Sequence, residues 1–211
     1  MDISIIQANN THLDQLAELL MITSYDKATA KYNTLNLDIN TYIKEYKLIP
    51  LLNFTSIAVN KSNPHHVLGM IVAAPLNLIN ENTKISYSHP NTKPIFEKFY
   101  EIYENEIPMS YNIFRLAVNK KYRGNGIGKA LLIYAEEQLH KLNLSRLTVV
   151  VWNCQVDAIC LYLKFGMEIK QCYHISDKIP YPTLLYLEKD IFNKLEVNYF
   201  ETNEFSNLEL M

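Results

Sequence analysis

The stretch 112–134, NIFRLAVNKKYRGNGIGKALLIY, constrains the fold of this chain more than any other. An apolar run from Ile113 to Val118 leads into a short basic loop, and three of the chain's five glycines then fall within residues 124–128. An amphipathic segment begins directly behind them. This order predicts a strand, a glycine loop and a helix start. Such a unit builds an anion site from backbone, because glycine permits positive φ and the first helical N–H groups have no intrahelical partner.

The spacing of the loop argues against two familiar phosphate sites. A Walker loop, G-x-x-x-x-G-K-[ST], would need a glycine where Arg123 stands and a hydroxyl where Ala130 stands. The dinucleotide fingerprint G-x-G-x-x-G lacks its third glycine, since that place holds Lys129 or Leu131. These two mismatches argue against a nucleotide-binding α/β module.

The spacing that does fit is R-x-x-G-x-G, at residues 123–128. Here the run LAVNKKYRGNGIGKALL resembles the signature of the GNAT superfamily of N-acetyltransferases, whose acyl-CoA pyrophosphate site carries this pattern. The resemblance implies acetyl-CoA as co-substrate, with the pantetheine held by backbone groups of Leu116, Ala117 and Val118. The residues implied at the pyrophosphate are Arg123, Gly124, Asn125, Gly126, Ile127, Gly128 and Lys129.

A second stretch, DAICLYLKFGMEI at 157–169, resembles the GNAT segment in which a helix ends in Tyr and a Gly precedes the next strand. On that resemblance Tyr162 is the general acid for the departing thiolate, because a phenol pKa of ~10 lies above a thiol pKa of ~8.5. Helical periodicity puts Tyr162 away from an apolar stripe on the same helix, and we expect the stripe to include a core Cys160. The members of the stripe are Val156, Ile159, Cys160 and Leu163.

Two positions depart from the family pattern. Relatives often carry an acid where Phe114 stands, so the general base is unassigned among a water chain, His174 and a carboxylate of residues 97–106. The Asn that usually opens the Tyr helix is replaced by Gln155, with Asn153 two residues earlier. Both are candidates for the pantetheine contact.

The resemblance covers about residues 3–190. It implies an α/β fold with a mixed, mostly antiparallel sheet flanked by helices, in which a splayed parallel strand pair forms the acyl-CoA cleft. The apolar patterns predict a strand, a helix, a hairpin with solvated His65 and His66 in its turn, a βαβ unit, the Tyr helix and two closing strands. In order, these segments are 3–8, a helix from 13, the hairpin 55–59 and 67–74, the βαβ unit 113–118, 127–142 and 147–152, the helix 155–165, and the strands 167–173 and 182–187. A poorly defined helical region spans 25–47.

Domain organisation follows from length and composition. We predict a single GNAT-like domain over 1–190, with a helical insertion over 77–110 near the acceptor site, and a C-terminal extension over 191–211. The extension is interpreted as a tail or as an added helix that would support a homodimer. A helix within 94–108 carries an acidic face, interpreted as solvated or as a lid that attracts a cationic amine.

The net charge and the cysteines limit the classes of partner and cofactor to be expected. The net charge of −2 gives no reason to expect nucleic acid or an anionic membrane, and no apolar run is long enough to span a bilayer. Three cysteines without metal-like spacing favour reduced thiols in a cytoplasmic protein and no metal.

The resemblance implies an acetyl-CoA-dependent N-acetyltransferase that transfers directly to a primary amine of a small molecule or peptide. The alternative is a non-catalytic acyl-CoA-binding sensor or scaffold, which Phe114 in place of an acid would support. Antibiotic, polyamine, amino acid and protein N-terminus all remain open as acceptors.

Overall fold

The computed structural model describes residues 2–21, 39–78, 102, 109–174 and 183–191. Seven strands of these residues form one sheet, in the order β1-β2-β3-β4-β5-β7-β6. They are β1 Ile3–Gln7, β2 Thr55–Asn60, β3 Asn63–Pro75, β4 Ser110–Val118, β5 Arg146–Trp152, β6 Glu168–His174 and β7 Thr183–Asp190. The β4–β5 pair is parallel and the other neighbouring pairs are antiparallel. The sheet is thus mixed and mostly antiparallel, as predicted.

Helices cover both faces of this sheet. Helix α1 comprises residues 13–21 of the described chain. The other α-helices are α2 Ile39–Tyr42, which continues into a π-helix at Ile43–Leu48, then α3 Ile127–Lys141 and α4 Val156–Lys164. Short 3₁₀ segments lie at Asn10–His12, Ile49–Phe54 and Lys120–Tyr122. No helix in the described ranges is long and apolar enough to cross a membrane.

The buried side chains form two clusters, one on each face. The first joins α3 and Tyr162 of α4 to strand residues such as Ile71 and Ile113. The second joins α1 and residues 43–51 to strand residues such as Met70 and Val72. Adjacent residues such as Ile71 and Val72 fall in opposite clusters because successive side chains of a strand point to opposite faces.

The β4–α3–β5 unit is a parallel crossover, as predicted. Pairing of β4 with β5 starts at Ser110 with Arg146 and extends to Ile113 with Val149. Both strands continue beyond that point, to Val118 and Trp152. The strands are therefore splayed over their carboxyl ends, and a cleft opens between them.

A β-bulge lies where the splay begins. Val72 of β3 pairs with Arg115 and Ala73 pairs with Ile113, so Phe114 is the extra residue of β4. A bulge bends its strand and increases the local twist. The bend falls directly after the last pair between β4 and β5, which accounts for their divergence.

Two glycines allow close packing around α3. A Cβ on Gly69 of β3 would lie 2.9 Å from the carbonyl oxygen of Ala117 and 3.1 Å from Cγ2 of Ile127. A Cβ on Gly128 of α3 would lie 2.8 Å from Cδ2 of Leu161 in α4. Gly69 thus seats the start of α3 on the sheet, and Gly128 lets α4 approach it.

Two helices end at residues in the left-handed conformation, which local sequence preference favours for Asn and Gly. Asn143 follows α3 with φ of 52°, and Gly166 follows α4 with φ of 89°. The predicted hairpin is also confirmed, because β2 and β3 pair antiparallel. Its turn is tighter than expected, since β3 already begins at Asn63.

Tyr162 points away from the apolar stripe of α4, as predicted, but it is the Tyr162 face that is buried: 4% of Tyr162 is exposed, whereas Val156 of the stripe is 61% exposed. Two side-chain predictions were therefore wrong. Cys160 is also exposed rather than in the core. His66 is half-buried within β3 instead of solvated in the turn, while His65 is exposed in that strand.

Other predictions fall partly or wholly outside the described residues. Of the helical region 25–47, residues 39–47 are described and are helical. The insertion over 77–110 is described only at 77–78, 102, 109 and 110, so its helical character stays a prediction. The division at 190 likewise stays a prediction, since nothing beyond 191 is described.

Candidate active site

The glycine loop joins the end of β4 to the start of α3. Gly124 has φ of 80° and Gly126, which caps α3, has φ of 79°. L-residues with a Cβ rarely adopt this left-handed conformation. A Cβ at either position would meet no heavy atom within 4 Å. The backbone angles, not a shortage of space, therefore select glycine here, and the surface above the loop is open.

The backbone N–H groups of residues 124–129 indicate an anion site. None of them donates a hydrogen bond to a described residue, and the first bond across the helix start is from the Ala130 N–H to the Gly126 carbonyl. Gly126 also offers no side-chain cap. Free amides at a helix N-terminus, together with the macrodipole, favour phosphate.

Side chains of the loop hold its shape. The Asn125 Nδ2 donates to the carbonyl oxygens of Tyr122 and Arg123, at 3.1 and 3.3 Å. The Asn119 Oδ1 accepts from the Lys121 N–H at 3.1 Å. The Asn125 side chain thus stabilises the turn, while its backbone N–H stays among the amides predicted to hold the pyrophosphate.

The charge around the loop is mainly positive. Lys120, Lys121, Arg123 and Lys129 are all exposed. Arg123 donates through Nε to the Val118 carbonyl at 3.3 Å, and its Nη1 lies 3.7 Å from a carboxylate oxygen of Asp157. Asp157 is itself largely exposed, so this pair is weak. A diphosphate at the loop would therefore meet several cations and one competing carboxylate.

The part of β4 that lines the cleft has an unpaired backbone edge, and this edge adjoins the glycine loop. Leu116, Ala117 and Val118 pair with β3 on one side but lie beyond the last pair with β5 on the other. Val118 then leads into the loop. An extended ligand arm that follows the loop inward can hydrogen-bond along this free edge, as a further strand would.

Tyr162 is buried in the core cluster that also contains the start of α3. Its hydroxyl has no hydrogen-bond partner among the described residues. Burial raises the pKa of Tyr162 well above its usual value of 10.0. The hydroxyl is therefore protonated throughout the neutral range and can donate to a group that develops negative charge.

The remaining candidates lie at the edges of this arrangement. Asn153 is exposed, and its N–H donates to the Thr183 carbonyl at 3.0 Å. Gln155 is half-buried and precedes α4 without capping it through its side chain. His174, one candidate base, is exposed at the end of β6. β6 is the edge strand, separated from β5 by β7, so His174 is not adjacent to the cleft.

The arrangement fits an acyl-CoA and offers no metal cluster in the described residues. Unpartnered amides and cations suit a pyrophosphate, and the free edge of β4 suits a pantetheine amide chain. No group of three or more His, Cys, Asp or Glu in the described ranges is placed to hold a metal ion.

Comparison with known proteins agrees with this geometry. The model of the acetyltransferase (GNAT) family matches residues 98–167, which span β4, the glycine loop, α3, β5 and α4. This match covers about a third of the chain, and over that segment the chain is similar to GNAT acetyltransferases. Members of that family are acyltransferases that use acetyl-CoA and amine acceptors. A search of curated protein sequences gave no match.

Solved structures share the GNAT fold at low sequence identity. An N-acetyltransferase from Staphylococcus aureus Mu50 is 16% identical with a TM-score of 0.63, over 88% of this chain and 100% of that chain. The PaiA N-acetyltransferase from Thermoplasma acidophilum, solved with coenzyme A, is 17% identical with a TM-score of 0.57, over 90% and 99%. A further acetyltransferase is 16% identical with a TM-score of 0.62, over 89% and 99%.

The structure adds residues that sequence analysis missed. His66 Nε2 lies 3.0 Å from the Tyr122 hydroxyl, which ties β3 to the 3₁₀ turn before the loop. Gly69 allows α3 to pack closely on β3, a role that the sequence alone does not indicate. Arg115 follows the bulge residue on β4 and has a buried Nε without a partner. Only its basic character within an apolar strand could have signalled it.

Proposed function

We propose that this protein is a GNAT acetyltransferase that transfers an acetyl group from acetyl-CoA directly to a primary amine of a small molecule or peptide. The observation that supports it most is the juxtaposition of six loop amides without partners and the free edge of β4 in the splayed cleft. Bound acetyl-CoA supplies the acetyl group as a thioester. Tyr162 as the acid supports direct transfer, and the absence of an assigned cysteine nucleophile is compatible with it.

Binding is divided between loop and strand. The amides of residues 124–129 hold the pyrophosphate, with Arg123 and Lys129 adding charge. Backbone groups of residues 116–118 orient the pantetheine, and Asn153 or Gln155 closes it from the side of α4. A backbone N–H near Val118 polarises the thioester carbonyl, since a fixed donor stabilises the oxyanion without reorganisation.

Tyr162 acts on the leaving group. The amine nitrogen forms a bond to the acetyl carbon, the carbon–sulfur bond breaks, and the sulfur leaves with the electron pair. Tyr162 donates a hydrogen bond or its proton to that sulfur. The base that receives the amine proton is not assigned, because Phe114 replaces the acid that relatives often carry.

The alternative function is an acyl-CoA-binding sensor or scaffold without turnover. Phe114 at the bulge is the observation that favours it, since it offers no base beside the cleft. The two functions differ in one property: only the enzyme releases free CoA when an amine is added.

A thermal-shift measurement tests the binding of acetyl-CoA, which both functions require. Acetyl-CoA at a hundred times its Kd adds about 2.7 kcal/mol to the free energy of unfolding, which for this chain length raises Tm by roughly 5–10 °C. We expect no shift with ATP or NAD, and a much smaller shift with acetyl-CoA for Arg123→Glu. The control is Lys141→Glu, an equal charge change at the exposed far end of α3.

Thiol release then separates the two functions. Release that depends on an added amine supports the enzyme, and binding without release supports the sensor. No Tm shift with saturating acetyl-CoA in the unsubstituted protein would contradict both.

A further inference from the structure

Arg115 stands beside the opening between β4 and β5. It lies two residues beyond Ile113, the last residue of β4 that pairs with β5. Its partner on β3 is Val72, which belongs to the cluster packed against α1. Paired residues of neighbouring strands share a face. The Arg115 side chain therefore lies on the face opposite to α3 and the glycine loop.

The guanidinium of Arg115 has no counter-charge in the described structure. Its Nε is buried without a hydrogen-bond partner, and no described carboxylate forms an ion pair with it. The ring centroid of Phe114 lies 5.1 Å from the guanidinium carbon. A buried donor on a permanent cation is costly to leave unpaired, so an anion from outside the chain would stabilise it.

A second polar atom on the same face is also unsatisfied. Asn112 is fully buried, and its Nδ2 donates to the Thr148 Oγ1 at 3.0 Å while its Oδ1 has no partner. Tyr111 and Ile113 belong to the cluster on the α3 side, so alternation puts Asn112 on the Arg115 side. The face of β4 that carries Arg115 is thus polar at a second point, which lies in the paired part of the strands just before the opening.

We infer that Arg115 binds a carboxylate carried by the acceptor amine, so that the acceptor is of the amino-acid class. This inference rests on the proposed transfer function. The glycine loop and α3 occupy one face of the sheet, and an acceptor therefore approaches the thioester from the other face. Arg115 adjoins Leu116 of the proposed pantetheine edge, and adjacent Cα atoms are about 3.8 Å apart. A carboxylate bound by Arg115 would hold a nearby amine beside the thioester, whereas a polyamine would be repelled.

Matched amine pairs test this inference. Each pair comprises an amino acid and its decarboxylated analogue, such as lysine with cadaverine, phenylalanine with phenethylamine and histidine with histamine. Thiol release gives kcat/KM for each member. We expect at least one amino acid to exceed its analogue by tenfold or more. Arg115→Gln should lower kcat/KM for that amino acid about ten- to a hundredfold, the loss typical of a charge-assisted hydrogen bond.

Two further variants make the test specific. Arg115→Lys keeps the charge and should retain part of the preference, which a purely structural role would not predict. Lys141→Gln removes a remote exposed charge and should leave every ratio unchanged. The Tm shift with acetyl-CoA should be the same in all variants, which shows that each folds and binds the co-substrate.

The outcomes separate the two proposals. Turnover of amines without preference for the carboxylate, or a preference that survives Arg115→Gln, would overturn the inference and leave the transferase function standing. A Tm shift with acetyl-CoA but no thiol release with any amine would contradict the transfer function and the inference together.

Discussion

Ile113 of β4 and Val149 of β5 form the last pair that the structure describes between these two parallel strands. The bulge at Phe114 follows at once, and beyond it β4 has one free edge that runs into the glycine loop. A single local irregularity thus creates the cleft, frees the backbone proposed to hold the pantetheine and leads directly to the proposed phosphate site. The proposed binding of acetyl-CoA therefore depends on backbone more than on side chains.

Substitution of Gly69 should destabilise the fold more than substitution of Gly128. A Cβ on Gly69 meets a backbone carbonyl at 2.9 Å, which cannot move without distorting β4. We expect Gly69→Ala to lower the free energy of unfolding by about 2 kcal/mol. In Gly128→Ala the clash is with the end of the flexible Leu161 side chain, and alanine favours the helix. That variant should stay within about 1 kcal/mol of the parent by urea denaturation, and equal losses in the two would contradict this account.

Replacement of Tyr162 should affect turnover and not binding. Tyr162→Phe keeps the buried ring and removes the donor proposed for the leaving sulfur. We expect kcat to fall about a hundredfold, while the Kd for acetyl-CoA stays unchanged. Tyr173→Phe on the edge strand β6 is the matched control and should keep full activity. An unchanged kcat in Tyr162→Phe would remove Tyr162 from the mechanism.

The stability of the protein should decrease at alkaline pH. Burial, and to a smaller extent the charge of Tyr134, raises the pKa of Tyr111 to about 12, and its hydroxyl donates to the Ala73 carbonyl at 3.0 Å. The native state therefore holds this proton more tightly than the unfolded state does. The corresponding stability, about 3 kcal/mol, is fully present below pH ~10 and is lost as the pH rises toward 12.

Tyr111→Phe tests that assignment. The variant should show a shallower decline of the unfolding free energy between pH 10 and 12, in denaturant titrations at fixed temperature. Tyr162 contributes in the same direction, because burial also raises its pKa. A decline of the same steepness in Tyr111→Phe would assign the effect to other groups.

Removal of the Asp157 carboxylate should tighten acetyl-CoA binding. Asp157 lies 3.7 Å from the Arg123 guanidinium and would repel a diphosphate at the loop. Asp157→Asn removes this competition, and we expect the Kd for acetyl-CoA to fall about two- to fivefold because the pair is exposed and screened. Titration calorimetry at low and high salt should show a smaller difference at high salt. Weaker binding in Asp157→Asn would mean that the carboxylate instead positions Arg123.

The orientation of α4 shows what periodicity leaves undecided. Its 3.6-residue pattern groups Val156, Cys160 and Leu163 on one side, and the structure has them so grouped. Which side is buried depends on what the helix packs against. The sheet and α3 pack against the side of α4 that contains Tyr162, and the missing side chain of Gly128 leaves space for Leu161 there. The more apolar stripe is left partly exposed because no described element covers it.

The sequence by itself determined the strand, glycine loop and helix order, the parallel crossover and the helix ends at Asn143 and Gly166, because these depend on local backbone preferences and on alternation of apolar residues. Tertiary structure alone decided the bulge at Phe114, the face of α4 that is buried and the placement of Arg115 beside the cleft. Each of these depends on the register of β4 against β3 or on packing between distant elements. Alternative strand registers and helix packings compete in free energy, and this competition involves residues far apart in the chain. A local sequence pattern therefore does not predict which register or packing forms.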